Sequence, residues 1–248
     1  MPYWCARCKR HFSVKVGTVM ECSKIGYQKW AIALFLVLTN TKGISSMRLH
    51  RDLGIRQSSA WFMLHRIREA MRTMAGNDAM SGPVEVDKLY VGGREKNRDA
   101  DKRGRAKKTA VAGIRDRKTG RVAASPVPET TAARMGHFIE SHAEPDAMVY
   151  TDESKIYSGL KDHETVNHGA GEYVRGDMHT NGMESFWALL RRGYHGTYHR
   201  MSPKHLHRFV NEFAGRLNER FRDTADMMAA LAGHMVGKRL TYALLVAT

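Results

Sequence analysis

The spacing of hydrophobic residues changes near residue 80 and separates two groups of predicted elements. Before that point apolar residues recur three or four positions apart, as at Ala60, Leu64, Ile67 and Met71, which is helical spacing. After a polar boundary at 75–83, runs rich in β-branched residues are typical of strands. Predicted helices cover 27–38, 46–53, 57–74, 130–141, 180–192 and 203–222, and predicted strands cover 84–91, 110–115, 121–127, 147–151 and, more briefly, 165–167.

The order of these elements favours an α/β fold of one kind. A three-strand meander, a helix, a strand and further helices is the order of an RNase H-like domain, a mixed sheet flanked by helices. In such a domain the first strand lies centrally, beside the fourth. Asp87 in the first strand and Asp152 after the fourth are therefore expected to lie close together. Ser202 is the expected cap of the last long helix, with Pro203 at its first position.

The predicted helices at 46–53 and 57–74 are joined by a short turn at Gly54, which is a helix-turn-helix pattern. Ser45 or Ser46 can cap the first helix. Four residues at the start of the second helix stand where a recognition helix enters the major groove, namely Arg56, Gln57, Ser58 and Ser59. A generic pair of packed helices has the same pattern, so DNA reading and plain packing are alternatives here.

The charge balance narrows the class of partner. With 40 Lys and Arg against 25 Asp and Glu, the net charge is +15, and the isoelectric point is near 9.9. Such a field favours polyanions, with nucleic acid first and an acidic membrane second; a solubilising surplus of charge is the alternative. The excess is clustered at 88–121 and 191–222, which indicates a binding footprint with a steep salt dependence.

Membrane insertion and secretion find no support in the sequence. The apolar run at 30–38 is too short to span a bilayer, and no signal peptide precedes it. Three cysteines without a secretion signal are typical of a reducing cytosol. We therefore expect a cytoplasmic, nucleoid-associated protein.

Cys5 and Cys8 have the spacing of a zinc knuckle. A structural zinc site needs four ligands, and the chain offers only Cys22 besides, with His11 as a weak candidate. The pattern indicates half a zinc ribbon, either shortened at its start or degenerate. Three ordinary thiols without metal are the alternative.

The stretch HTNGMESFWALLRRG at 179–193 predicts an amphipathic helix. Asn181, Glu184, Arg191 and Arg192 share its polar arc, and large apolar residues such as Trp187 fill the opposite one. The free face of this helix therefore carries a carboxylate and a guanidinium seven residues apart.

Asp87, Asp152 and Glu184 would be three acids on separate rigid elements. Hard carboxylate oxygens suit Mg²⁺ or Mn²⁺, and two such ions promote in-line displacement at a phosphodiester. Each acid alone is more often a turn former, a helix cap or a surface group. Their combination with basic loops and a helix-turn-helix favours a nucleic-acid enzyme.

The chain resembles the DDE-type transposases of bacterial insertion sequences, in the group with an N-terminal zinc ribbon, a helix-turn-helix and an RNase H-like, integrase-like core. The matching stretches are CARCKRHFSVKVGT, GISSMRLHRDLGIRQSSAWFMLHRIREAM, VEVDKLYVGG, VYTDES and HTNGMESFWALLRRGYHGTYHRMSPKHLHRFVNEFAGRLNER. The resemblance implies a partial zinc ribbon at 1–24, a DNA-binding helix-turn-helix domain at 25–78, a catalytic domain at 83–222 and a packing tail at 223–248.

This resemblance implies Mg²⁺-dependent DNA cleavage at the element's ends and strand transfer, with Asp87 as the first acid and Asp152 as the second. The third position is Glu184 or Asn181, because some members of the group use Asn in place of Glu. We favour Glu184, since the basic residue expected seven positions later is then Arg191. Arg191 and Arg192 would together grip the phosphates of the donor end.

The resemblance also implies double-stranded DNA as partner, both inverted repeats and target, and a homodimer or larger complex. One departure is Lys88, where the family usually has an acid; it could pair with Glu85 or touch DNA. His179, His195 and His199 are either phosphate contacts or structural histidines. The alternatives are a catalytically silent DNA-binding relic that regulates or inhibits transposition, and an RNase H-like nuclease for junctions or RNA hybrids.

Overall fold

The computed structural model describes residues 3–76, 79–92, 108–152, 157, 163–166 and 181–247; at 152 and 163–166 it describes the backbone alone. Within these residues the main structure is a five-stranded sheet with helices on both faces. Its strands are β3 (Val84–Val91), β4 (Thr109–Asp116), β5 (Val122–Val127), β6 (Val149–Asp152) and β7 (His163–Val166). The basic loop expected between β3 and β4 falls mostly outside the described residues.

The strand order is β5-β4-β3-β6-β7. The first three strands form an antiparallel meander, and β6 and β7 continue the sheet in parallel. The predicted central position of the first strand beside the fourth is confirmed. This order and these directions are those of the RNase H-like fold.

One face of the sheet packs on α4 (Ala132–Glu140), and the other packs on α5 (Asn181–Gly193) and α6 (Leu206–Asn218). Side chains alternate between the faces along each strand. Val84 and Val86 enter the core around Phe138, whereas Leu89 and Val91 enter the core around Trp187. The face carrying the odd-numbered residues of β3 is therefore the α5 face.

The N-terminal helices are α1 (Tyr27–Thr39), α2 (Ser46–Leu53) and α3 (Gln57–Met74). The Ser45 hydroxyl caps α2 by accepting from the amide of Arg48, and Gly54 ends it in the left-handed conformation at φ 57°. The bounds predicted for α2 and α3 are confirmed. The core of these helices also takes in Leu231, from α7 (Thr224–Gly233), and Met235; a last short helix, α8, spans Tyr242–Val246.

A buried ionic network joins α3 to α6. The Nε of Arg68 donates to Oε2 of Glu212 at 2.6 Å, and the hydroxyl of Tyr198 donates to Oε1 of the same carboxylate at 2.8 Å. Arg216 also donates to Glu212, and its guanidinium reaches the carbonyl of Val37 at 3.2 Å. Glu212 is thus paired on both oxygens, so this buried charge is compensated.

Both predicted bounds of the helix at 203–222 are wrong. Residues Pro203–His205 form a 3₁₀ turn before α6 begins, and a π-helical segment that the pattern did not predict, Tyr194–Tyr198, follows α5. Pro203 does occupy the first position, but the side chain of Ser202 makes no capping hydrogen bond. The predicted end at 222 is four residues too late. At the observed end the side-chain amide of Asn218 pairs with the backbone of Val122 and donates to the carbonyls at the end of α3.

The first described residues form a hairpin of β1 (Tyr3–Cys5) and β2 (Arg10–Phe12). Hydrogen bonds from the Cys8 amide and thiol and from the Arg7 amide lower the pKa of Cys5. Such a turn presents two thiols toward one point. Among the described residues, however, no group of three Cys, His, Asp or Glu that could hold a metal is found, so Cys22 and His11 do not complete a zinc site with Cys5 and Cys8.

Candidate active site

Asp87 lies in the central strand and faces α5. Its Oδ1 accepts from the backbone amide of Lys88 at 2.7 Å, and its Oδ2 accepts from the indole Nε1 of Trp187 at 2.9 Å. The carboxylate is half-buried, while the Trp187 ring is buried beneath the helix. Two donors on different elements therefore fix the orientation of this carboxylate.

The reach of Trp187 to Asp87 depends on a glycine in the neighbouring strand. Gly113 pairs directly with Asp87. A Cβ on Gly113 would lie 2.7 Å from the indole ring of Trp187 and 2.3 Å from the Met183 methyl group. Because real side-chain carbons do not approach so closely, only glycine at 113 lets α5 lie this near the sheet.

Asp152 is the last residue of β6, the parallel neighbour of β3. The paired register runs Val84 with Val149 and Glu85 with Tyr150. Asp87 and Asp152 each stand two residues beyond the second of these pairs, at the same level of two adjacent parallel strands. The side chain of Asp152 lies outside the described residues.

Glu85 is a second acid on the α5 face, and it is fully buried. Its Oε2 accepts from the backbone amide of Met183 at 2.9 Å, in the first turn of α5. Its Oε1 lies 3.2 Å from Nε of Arg117 and 3.4 Å from Nη1 of Arg115. Glu85 thus fixes the start of α5, where a carboxylate also complements the positive end of the helix.

The sequence suggested that Lys88 could pair with Glu85, and this was wrong. Residues three apart in a strand point to opposite faces. The Lys88 ammonium lies over the ring of Tyr157 at 5.3 Å, on the face away from α5.

The two candidates for the third catalytic position, Asn181 and Glu184, lie in the first turn of α5, and both are exposed. They are anchored through their own helix, because the Met183 amide between them is held by Glu85. Gly182 is required there: a Cβ on it would lie 1.6 Å from Nη1 of Arg115 and 2.7 Å from Oε2 of Glu85.

Arg191 and Arg192 are exposed but lie in different grooves. Arg191 shares a cavity with the end of β3, Tyr194 and His195. Arg192 shares a groove on the other side of α5 with Arg115 and Arg220. The expectation that both arginines grip the same phosphates therefore needs revision, because neighbouring helix positions are rotated by about 100°.

Sequence reasoning missed Glu85 and the hydrogen-bonding role of Trp187. The helical pattern shows Trp187 only as part of the buried arc, because its partner lies 100 residues earlier. One signal was available: a Trp in a buried arc must still place its indole N–H on an acceptor. For Glu85 the signal was its position between two valines of a buried strand.

The residues predicted to read DNA begin α3. Arg56, Gln57 and Ser58 are exposed, and the Gln57 amide donates to the Ser46 hydroxyl at 2.8 Å. Ser59 is half-buried and lines a cavity with Cys22 and the N-terminal segment, so it is the least accessible of the four.

His195 and His199 are exposed after α5, and His179 lies outside the described residues. In the part of the chain that the structure describes, no helix combines the length and hydrophobicity needed to cross a bilayer.

An RNase H-like sheet with acids at matched positions of its two central parallel strands defines the class of the fold. Residues 79–218, more than half of the chain, match the ISXO2-like transposase domain, and the chain belongs to this transposase family. The chain is also similar to an uncharacterized protein in transposable element ISH50 of Halobacterium salinarum. The two are 29% identical over an alignment of 209 residues that covers 77% of this chain and 69% of that protein.

Proposed function

We propose that this protein is the transposase of an insertion sequence, cleaving DNA at the ends of its element and joining the freed ends to target DNA in a Mg²⁺-dependent reaction. The observation that carries the proposal is the Asp87 carboxylate, oriented by Trp187 at the level of the sheet where Asp152 ends the neighbouring strand. Membership of a transposase family supports it.

The donor set suits a hard divalent cation. An ionised carboxylate offers about four lone-pair sites, so the hydrogen bonds that Asp87 accepts are compatible with metal ligation. The residues that would hold Mg²⁺ or Mn²⁺ are Asp87, Asp152 and either Glu184 or Asn181. When bound, such ions neutralise charge and activate an oxygen for in-line displacement at phosphorus.

The protein's own side chains would orient the proposed metal ligands and bind DNA. Trp187 fixes the rotamer of Asp87, and Glu85 fixes the turn that carries Asn181 and Glu184. Arg191, which lies beside the end of β3, would contact a DNA phosphate. Water and then a DNA 3′-OH are the attacking groups, so no Ser, Tyr or Cys nucleophile is required.

DNA recognition would fall to the first turn of α3, with Arg56, Gln57 and Ser58 at base edges and Ser59 in support. Chemistry on two element ends calls for a dimer or larger complex on DNA. Both assignments are part of the proposal.

The test is an in vitro strand-transfer assay with duplexes that carry the element's own ends and a supercoiled target plasmid. We expect Asp87→Asn and Asp152→Asn to reduce Mg²⁺-dependent product to background. Glu140→Gln, an exposed acid on the far face of the sheet, should leave it unchanged. Equal product from wild type and Asp152→Asn would remove Asp152 from the mechanism.

The third position is assigned by comparing Glu184→Gln with Asn181→Ala in the same assay. Loss of product in the first alone identifies Glu184, and loss in the second alone identifies Asn181.

Two other outcomes of the wild-type assay would refute the proposal. Salt-dependent DNA binding without nicking would indicate a silent relic that regulates transposition. Nicking without joining would indicate a nuclease.

A further inference from the structure

A groove runs beside α5 on the side away from Arg191. It has a volume of about 270 Å³ and an apolar floor that includes Leu189 and Leu217. Three arginines from three separate segments line it: Arg115 from β4, Arg192 from α5 and Arg220 after α6. Among the described residues that line it there is no Asp or Glu. We call it the arginine groove.

Arg115 is fixed between two glycines. Its Nη1 lies against Gly182 and 3.4 Å from the buried carboxylate of Glu85. Its Nη2 lies 3.7 Å from the point that a Cβ on Gly120 would occupy. One edge of this guanidinium is therefore held by the protein, and the other edge is turned toward Gly120.

Arg220 approaches the same point from the opposite side. Its Nη1 donates to the carbonyls of Leu217 at 2.8 Å and Gly120 at 3.3 Å. Its Nη2 lies 2.5 Å from the Cβ point of Gly120. The Nη2 atoms of Arg115 and Arg220 thus converge on one small region above a residue without a side chain.

Glu85 compensates one edge of Arg115, but the Nη2 atoms of Arg115 and Arg220 still approach each other across Gly120. Like charges repel at this distance, and an anion between them would relieve the repulsion. Burial, and then the positive charge of Arg115, lower the pKa of Arg220, which reports the same repulsion. Arg192 is exposed on α5 and adds a third cation. Guanidinium groups bind phosphate oxygens in bidentate fashion, so the arrangement matches a phosphate.

We propose that the arginine groove binds a backbone phosphate of the DNA strand near the bond that is cleaved. This inference rests on the proposed transposase function for the identity of the strand. Arg115 stands two residues along β4 from Gly113, the partner of Asp87. That separation along the strand is about 6.8 Å. Gly113 and Arg115 lie on the same face of the sheet, under α5, so the groove is close to the candidate active site.

The test measures DNA affinity of the full chain by fluorescence anisotropy, in a chelator, over a series of salt concentrations. The probe is a duplex that carries the element's terminal sequence. Arg192→Gln and Arg220→Gln should each weaken binding roughly tenfold, as expected for a lost charge-assisted contact. Each should also lower the slope of log affinity against log salt by roughly 0.9.

Arg134→Gln is the matched control, because Arg134 is an exposed helical arginine on the opposite face of the sheet. It should leave the slope unchanged. The Arg192→Gln variant gives the decisive result, because Arg192 is exposed and its substitution should not disturb folding. Wild-type affinity and slope in Arg192→Gln and Arg220→Gln would overturn the proposal.

A second measurement distinguishes a site for a DNA phosphate from a site for free phosphate. Stabilisation of the wild type by millimolar inorganic phosphate, lost in the variants while their DNA binding is unchanged, would overturn the proposal in favour of a free-phosphate site. The binding assay contains no divalent metal and does not depend on catalysis. Weaker binding by Arg192→Gln would therefore support the phosphate site even if the wild type proved inactive in strand transfer.

Discussion

Trp187→Phe tests the central contact of the candidate active site. The substitution retains an aromatic ring under α5 but removes the only N–H of that side chain, so Oδ2 of Asp87 loses the donor at 2.9 Å. The smaller ring also vacates part of the space above Gly113. The Asp87 carboxylate keeps the Lys88 amide but loses the hydrogen bond that orients Oδ2.

The magnitude follows from the proposed role of Asp87 as a metal ligand, whose orientation Trp187 sets. Loss of a group that orients a ligand usually costs about 10–100-fold in metal affinity or activity. We therefore expect the Mg²⁺ concentration for half-maximal strand transfer to rise by about that factor. The stability cost should be about 1–2 kcal/mol, below the 3–5 kcal/mol typical of Trp→Ala.

The assay is a Mg²⁺ titration of strand-transfer rate at saturating DNA, with thermal unfolding measured beside it. Trp61→Phe is the control, because Trp61 lies on α3 against His65 and His205, away from the sheet acids. Saturating Mg²⁺ should restore most of the Trp187→Phe rate, which a purely structural defect would not allow. An unchanged Mg²⁺ requirement in Trp187→Phe would refute the reasoning.

Three other predictions concern stability and are checked by urea unfolding. Gly182→Ala should lose about 1–3 kcal/mol, because the new methyl group overlaps the Arg115 guanidinium; no loss would show that α5 can shift. Glu85→Gln should lose about 3–5 kcal/mol, since both arginine pairs with this buried carboxylate are broken; a neutral result would contradict the pairing. Burial lowers the pKa of His65 to about 2, whereas the unfolded chain binds that proton near pH 6.5. Stability from His65 is therefore full above pH 6.5 and falls below it, by about 1.4 kcal/mol between pH 7.5 and 5.5, and His65→Leu should remove this part of the pH dependence.

Local patterns predicted much of the fold. The bounds of β3 and α3 follow from β-branched and helical spacing. The turn at Gly54 follows from the residue type, because glycine readily adopts the left-handed conformation found there. The strand order follows from the succession of elements. The contacts of Asn218 at the end of α6 could not be predicted, because its side chain reaches β5 and α3, far away in the sequence.

The candidate site was predictable in its acids and not in what holds them. Asp87 and Asp152 stand out as acids in or at the end of apolar strands. The partners of Asp87 and Glu85 come from α5, about 100 residues later, so no local period reveals them. The separation of Arg191 from Arg192 depends on how α5 is rotated over the sheet, which its buried contacts decide.

The ionic network around Glu212 has a mechanical consequence. Pulling α3 away from α6 would break the buried pair of Arg68 and Glu212, at about 3–5 kcal/mol. The contact between α3 and α6 therefore resists bending. Under the proposed function the first turn of α3 contacts DNA, so binding there would also set the orientation of the sheet and of its carboxylates.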